Sequence, residues 1–247
     1  MEERDLLLAH MEDLAGKALK SGYAASRFLT PAEAQGIREY FKRRDVCLRF
    51  EGGFNAPERT RAVFVSPGWG EYDLPELLAA LKISYRPEDN LTHRDILGAL
   101  MALGIERDTI GDILCQDGAA VIICLPELSG YIAENLTKAG RAGVMVCEIK
   151  LHDLPAKRED AAIKTDTVAS LRLDSVLGAA FGLPRSKASE LISQGRVSLN
   201  HRLCTQPSKE LSEGTVLSVR GLGRAKLKEV GGLSKKGRLF IKIELYR

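Results

Sequence analysis

The sequence predicts an α+β protein built in three parts, and three observations carry that reading. Between Leu81 and Ile149 the hydrophobic period switches in the order β-α-β-β-α-β, that of a split ferredoxin-like, RRM-like plait. Ahead of it, residues 1–75 read as an N-terminal α/β segment. Behind it, two short amphipathic helices open a strand-rich and strongly basic C-terminal module over residues 171–247. The plait is expected to span 76–150, and the polar stretch 151–170 reads as a linker.

In the N-terminal segment, Glu2 to Lys20 reads as a helix with Leu6, Leu7, Leu14 and Ala18 on one side. Thr30-Pro31-Ala32-Glu33 is a capping box with proline in the first helical position, opening a helix to about Arg43. The Lys42-Arg43-Arg44 cluster then sits where the helix dipole favours cations. Val46–Phe50 and Thr60–Val65 read as strands. The long loop between them holds Phe54, expected to be exposed, with Arg59 and Arg61 close by. It reads equally as an RNA or partner contact and as a packed loop.

In the plait, Leu81–Tyr85 is a strand, and Thr92-His93-Arg94-Asp95 caps a helix that Gly104 ends. Thr109–Gln116 and Ala119–Leu125 pair through Asp117-Gly118, a two-residue hairpin signal. Pro126 opens a helix through about Ala139, and Val144–Ile149 is the last strand. A plait of this kind stacks RNA bases on aromatic side chains of its central strands. Here those positions are Val121, Ile122, Ile123, Val144, Met145 and Val146, so base stacking on that face is not expected. Any RNA contact would fall to loop and helix charges such as Arg86, His93, Arg94, Arg107, Lys138 and Arg141.

In the C-terminal module, Leu173, Val176, Leu177, Ala180 and Phe181 share one helical face, and Gly182 with Pro184 ends that helix. Ser186 is placed to cap a second helix that Gly195 closes. From 171 to 247 there are 15 Lys or Arg and 6 Asp or Glu, a net of +9; the whole chain holds 36 and 33, which leaves 21 and 27, or −6, for residues 1–170. A basic module joined to an acidic remainder is the footprint of a nucleic-acid-binding domain.

The remaining chemistry is sparse. Five cysteines lack any CxxC pair, and Cys47, Cys115, Cys124 and Cys147 lie in apolar strand-like runs, so buried free thiols are expected. Four histidines show no metal-ligand spacing, and neither metal nor cofactor is expected. The first residues, Met1-Glu2-Glu3-Arg4-Asp5, are acidic and unlike a signal peptide, and no apolar run is long enough to cross a bilayer. A cytoplasmic monomer without membrane contact is the expectation.

Two resemblances sharpen this. Arg172-Leu173-Asp174, Arg185-Ser186-Lys187-Ala188, Leu191-Ile192, Gly195-Arg196-Val197, Asn200, Pro207-Ser208, Gly214 and Val219-Arg220-Gly221 resemble the αL RNA-binding domain first defined in ribosomal protein S4. Phe54 to Arg59, Leu91 to Met101, Leu103-Gly104-Ile105, Ile110 to Ile113 and Val219 to Lys226 resemble the bacterial YlmH family. That resemblance implies an RNA-binding protein without known catalysis. It implies association with the large ribosomal subunit carrying stalled peptidyl-tRNA, in ribosome-associated quality control, and genes that neighbour those for cell division.

The expected RNA-binding residues are Arg172, Asp174, Arg185, Ser186, Lys187, Gln194, Arg196, Asn200, Lys209, Arg220, Gly221, Arg224 and Lys226, with rRNA, tRNA or peptidyl-tRNA as partner. Arg172 and Arg185 at helix starts could hold phosphate together with open backbone amides. Asp174 is read as their orienting partner, and Gly221 lets backbone approach a sugar-phosphate strand. No catalytic residue is expected. Arg-Leu-Asp also occurs as a catalytic motif in pseudouridine synthases, so an RNA-modifying enzyme is the alternative. In this sequence the string belongs to the helix of the binding module, and too little chain follows for a synthase domain.

Overall fold

The computed structural model describes residues 3–42, 47–69, 74–156, 162–200, 202–234 and 237–246. It divides into two compact units, residues 1–157 and 158–247. Arg43, Arg44, Val46, Lys235 and Lys236 lie outside the described residues.

The first unit begins with α1 (Glu3–Ser21), β1 (Tyr23–Leu29), α2 (Pro31–Phe41), β2 (Cys47–Glu51) and β3 (Thr60–Val65). The strands form an antiparallel sheet in the order β1-β3-β2. Met11 and Ala15 of α1 and Ile37 and Phe41 of α2 cover it, packing on Ala62 and Phe64. The Thr30 capping box forms as expected: Glu33 N donates to Thr30 Oγ1 at 3.3 Å, and Thr30 N donates to Glu33 Oε2 at 2.6 Å. β1 was not expected. Its run Tyr-Ala-Ala-Ser-Arg-Phe-Leu has little strand propensity, and pairing with β3 imposes the conformation.

The plait follows as β4 (Ala79–Ser84), α3 (His93–Ala102), β5 (Ile110–Gln116), β6 (Ala119–Cys124), α4 (Pro126–Asn135), the small hairpin β7 (Lys138–Ala139) and β8 (Ala142–Gly143), and β9 (Met145–Ile149). Sheet order β5-β6-β4-β9 is the ferredoxin-like arrangement. Thr92 caps α3, its amide and hydroxyl both donating to Asp95 Oδ2, at 2.9 and 2.6 Å. α4 stops four residues before the expected end at Ala139, because Lys138 and Ala139 pair with Gly143 and Ala142 instead. Gly140 makes that turn at φ 56°.

Each face of the four-stranded sheet has its own cover. Leu81, Ile83 and Ile122 pack beneath Ile96 and Leu100 of α3 and Ile132 of α4. On the other face Ala80, Val121 and Ile123 pack against Phe28 of β1 and Phe54. The surface on which related plaits stack RNA is therefore occupied by the chain's own N-terminal segment. Gly111 lets it close, since a Cβ there would stand 2.7 Å from the Phe28 ring.

Phe54 is accordingly only 5% exposed, contrary to the expected exposed aromatic. The loop around it is held from within. The amides of Glu58 and Arg59 both donate to Asp112 at 2.9 Å, Arg59 Nη2 donates to Phe28 O at 3.0 Å, and Arg61 Nε donates to Ser26 O at 2.6 Å. Both arginines thus serve the packed loop. Phe54→Ala is expected to destabilise this unit by about 3 kcal/mol, the usual cost of emptying a buried aromatic site. RNA binding by the folded protein should not change; urea denaturation and an RNA titration check the two halves.

The cysteines divide differently from expectation. Cys124 is fully buried and burial pushes its thiol up to about 12, but Cys47 and Cys147 are exposed and Cys115 is partly so. Cys47 and Cys147 lie on the sheet-edge strands β2 and β9, where only part of each strand is covered.

The second unit holds β10 (Ala162–Val168), α5 (Leu173–Phe181), α6 (Arg185–Ser193), β11 (Val197–Leu199), β12 (Arg202–Leu203), β13 (Val216–Val219), β14 (Gly223–Leu233) and β15 (Leu239–Tyr246). Its antiparallel sheet runs β10-β15-β14-β13-β11-β12. Leu173, Val176, Leu177, Ala188 and Ile192 from the two helices close a core with Leu217, Ala225, Leu227, Ile241 and Ile243.

The stretch 151–170 is not simply a linker. Ala162–Val168 pairs along its length with β15, from Ala162↔Leu245 to Val168↔Leu239. An edge strand exposes much of its surface, so it tolerates the polar composition that mimics a linker. α6 begins at Arg185 with Pro184 as its N-cap, so Ser186 is the second helical residue and not the cap.

Candidate nucleic-acid interface

The start of α5 is organised by one carboxylate. Asp174 is 3% exposed, and it accepts from Arg172 Nε at 3.2 Å, Arg172 Nη2 at 3.0 Å and Arg185 Nε at 3.0 Å. The two guanidiniums reach it from different helix starts, and their side chains remain 37% and 58% exposed. Burial alone would raise the Asp174 pKa. The hydrogen bonds from Arg172 and Arg185 outweigh it, so the carboxyl is held below its ordinary value. Arg185 meets Asp174 through Nε, and among the described residues its two terminal nitrogens have no hydrogen-bond acceptor. This is the orienting role expected of Asp174.

One expectation about this site needs correction. The first amides of α5 are not open for phosphate: Leu173 N donates to Lys209 O at 2.8 Å and Asp174 N to Pro207 O at 3.0 Å. Leu211 N in turn donates to Leu171 O at 2.9 Å, so the 207–211 loop docks across the helix start. The role of Lys209 is thereby partly structural, through its carbonyl, while its side chain is exposed. Nothing in the sequence signals a loop returning to cap a helix by its carbonyls. The start of α6 differs: the amides of Arg185, Ser186 and Lys187 find no acceptor among the described residues, and all three are exposed. The exposed cations and open amides therefore converge on α6, beside the Asp174 clamp.

Other expected residues are drawn into separate groups. Lys187 Nζ and Gln194 Nε2 both donate to Glu190, each at 2.9 Å, forming an exposed chain along α6. Arg196 Nη2 donates to Arg220 O at 3.0 Å, and Arg220 N donates to Arg196 O at 3.0 Å. Arg196 also lies directly under Gly221, where φ is 87°. Arg196, Arg220 and Gly221 are thus one unit at the β13–β14 turn. Asn200 serves the backbone. At φ 44° its Oδ1 accepts from Val216 N at 2.9 Å, and its own amide donates to Val216 O at 2.8 Å.

Arg224 and Lys226 stand on the other face of the sheet. Ala225 and Leu227 point into the core under the helices, so the alternate residues of β14 point away. Arg224 lies over the Tyr246 ring at 4.9 Å. Tyr246 was missed, because only the strand register Arg224↔Tyr246 brings the two together. Among the described residues, no three His, Cys, Asp or Glu side chains are grouped so as to hold a metal, and no helix is long and apolar enough to cross a membrane.

Comparison with known proteins agrees with this architecture. Residues 77–153 match the family model described as "Putative RNA-binding domain in YlmH", and residues 171–217 match the S4 domain. The chain is 34% identical over 222 residues to the ribosome-associated protein quality control protein P2 of Bacillus subtilis (strain 168), covering 88% of this chain and 85% of that one. The solved structure of the cell division protein ylmH from Streptococcus pneumoniae superposes with a TM-score of 0.51 at 20% identity. It covers 62% of this chain and 94% of its own, a likeness of fold. With the plait and the S4 domain in this order, and a relative matched over most of both lengths, the chain belongs to the YlmH family.

Proposed function

We propose that this protein is a non-catalytic binder of structured rRNA or tRNA on the large ribosomal subunit, acting in the cytoplasm in rescue or quality control of stalled translation. The observation that carries the reading is the Asp174 clamp. It holds two exposed guanidiniums beside the open amides of α6, an arrangement suited to phosphates fixed in a folded RNA. The net charge of +9 on residues 171–247 supplies the long-range attraction. The name of the Bacillus subtilis relative supports the ribosomal setting.

Binding is the better reading than RNA modification because Asp174 is committed. A catalytic aspartate must reach a substrate atom, whereas this one is buried and engaged by Arg172 and Arg185. Crosslinking the protein to RNA in cells and sequencing the attached fragments tests the proposal. Large-subunit rRNA and tRNA should dominate the recovered reads. Reads dominated by messenger RNA would contradict it, as would a modified nucleoside that vanishes with the protein.

A further inference from the structure

The plait carries an open groove of about 530 Å³ on its helical side. Gly98, Ala99 and Ala102 of α3 form one wall, and Leu136 to Lys138 with Gly140 form the other. Gly98 is exposed in mid-helix, where glycine costs about 1 kcal/mol relative to alanine, and outside the helix's own backbone nothing lies within 4 Å of where its Cβ would be. The missing side chains leave the α3 backbone approachable. Arg94 and Lys138 flank the groove, Arg141 is in the adjoining turn, and all three are exposed. None of the three side chains makes a hydrogen bond or ion pair among the described residues. The carboxylate on the wall is Asp95, whose Oδ2 is taken up by the Thr92 cap.

We propose that this groove is a second RNA site, which holds a sugar-phosphate backbone between Arg94 and Lys138. The inference rests on the RNA-binding reading above and places the contact of the plait on its helices. Its sheet cannot serve, because Phe28 and Phe54 cover it. The groove favours a phosphate strand over a peptide helix. Its walls offer small residues and unpaired cations, with only Leu103 and Leu136 as large apolar groups.

The test uses the full chain. Gly98→Leu fills the groove with a better helix former, and Arg94→Ala/Lys138→Ala removes the cations. Both are titrated against purified large ribosomal subunits, deproteinised large-subunit rRNA and total deacylated tRNA in a potassium chloride series, with thermal melts to establish folding. On whichever RNA the wild type binds, each is expected to bind about three- to tenfold more weakly, and the double variant should have a salt slope shallower by roughly 1 to 2. Wild-type affinity and slope in both variants would overturn the groove while leaving the S4 reading intact. Loss on subunits with unchanged binding to both naked RNAs would assign the groove to a ribosomal protein and overturn it as an RNA site. A wild type that binds none of the three would remove the RNA-binding reading itself.

Discussion

Asp174→Ala is expected to weaken the C-terminal unit and its hold on RNA together. The carboxylate is buried, and it carries three hydrogen bonds from two guanidiniums that would otherwise repel one another. Hydrogen bonds to charged groups contribute about 1.5–3 kcal/mol when buried, but solvent reaches both arginines, so the expected loss is about 2 kcal/mol. RNA affinity should fall about tenfold as well, since both guanidiniums must then be ordered by the RNA. Asp174→Asn keeps the volume and one acceptor, and should lose less of each.

The same site predicts a pH dependence with a definite sign. The folded Asp174 pKa lies below the ordinary 3.8, so below that value the unfolded chain takes up the proton first. The stabilisation is complete only about a unit or more above the ordinary value and disappears as pH falls through the folded one. The urea midpoint difference between wild type and Asp174→Asn should therefore shrink on moving from pH 6 to pH 3. A difference that stays constant would mean that Asp174 acts through shape and not through charge.

Much of the fold was legible because local signals were strong. Capping boxes at Thr30 and Thr92, the Asp117-Gly118 hairpin and the left-handed glycines at 182 and 195 each fix a short stretch of backbone. What escaped depends on partners distant in sequence. β1 is strand only because β3 pairs with it, and β10 is strand only because β15 does. Phe54 looked like a loop aromatic because nothing nearby reveals that Ile123 and Phe28 wait beneath it.

The candidate site was legible as a set of residues but not as an arrangement. The sequence motif groups Arg172, Asp174 and Arg185, and in the fold they do meet. Which amides stay open was not readable, because the loop carbonyls of Pro207 and Lys209 cap α5 from far along the chain. Strand alternation also separates Arg224 and Lys226 from the helix-start cations, a division that charge counting alone cannot see.

Arg185→Ala is expected to be the most damaging substitution of a single cation, with Arg172→Ala close behind. Among the described residues the two terminal nitrogens of Arg185 have no acceptor, its helix start carries the open amides of α6, and Asp174 holds its Nε. A well-placed arginine on nucleic acid typically contributes about tenfold or more in affinity. Lys242 is a fair comparison, since its side chain is as open to solvent, at 49%, but it is paired with Glu229 at 2.7 Å on the long β14–β15 ribbon. Its loss should lower only the diffuse field.

The most direct measurement is co-sedimentation of the full chain with purified large ribosomal subunits across a salt series, for wild type, Arg172→Ala, Arg185→Ala and Lys242→Ala. The two arginine variants should leave the subunits at moderate salt, about tenfold weaker than wild type, while Lys242→Ala stays bound. Equal losses from all three would contradict the account, because recognition would then follow total charge and not the Asp174 clamp.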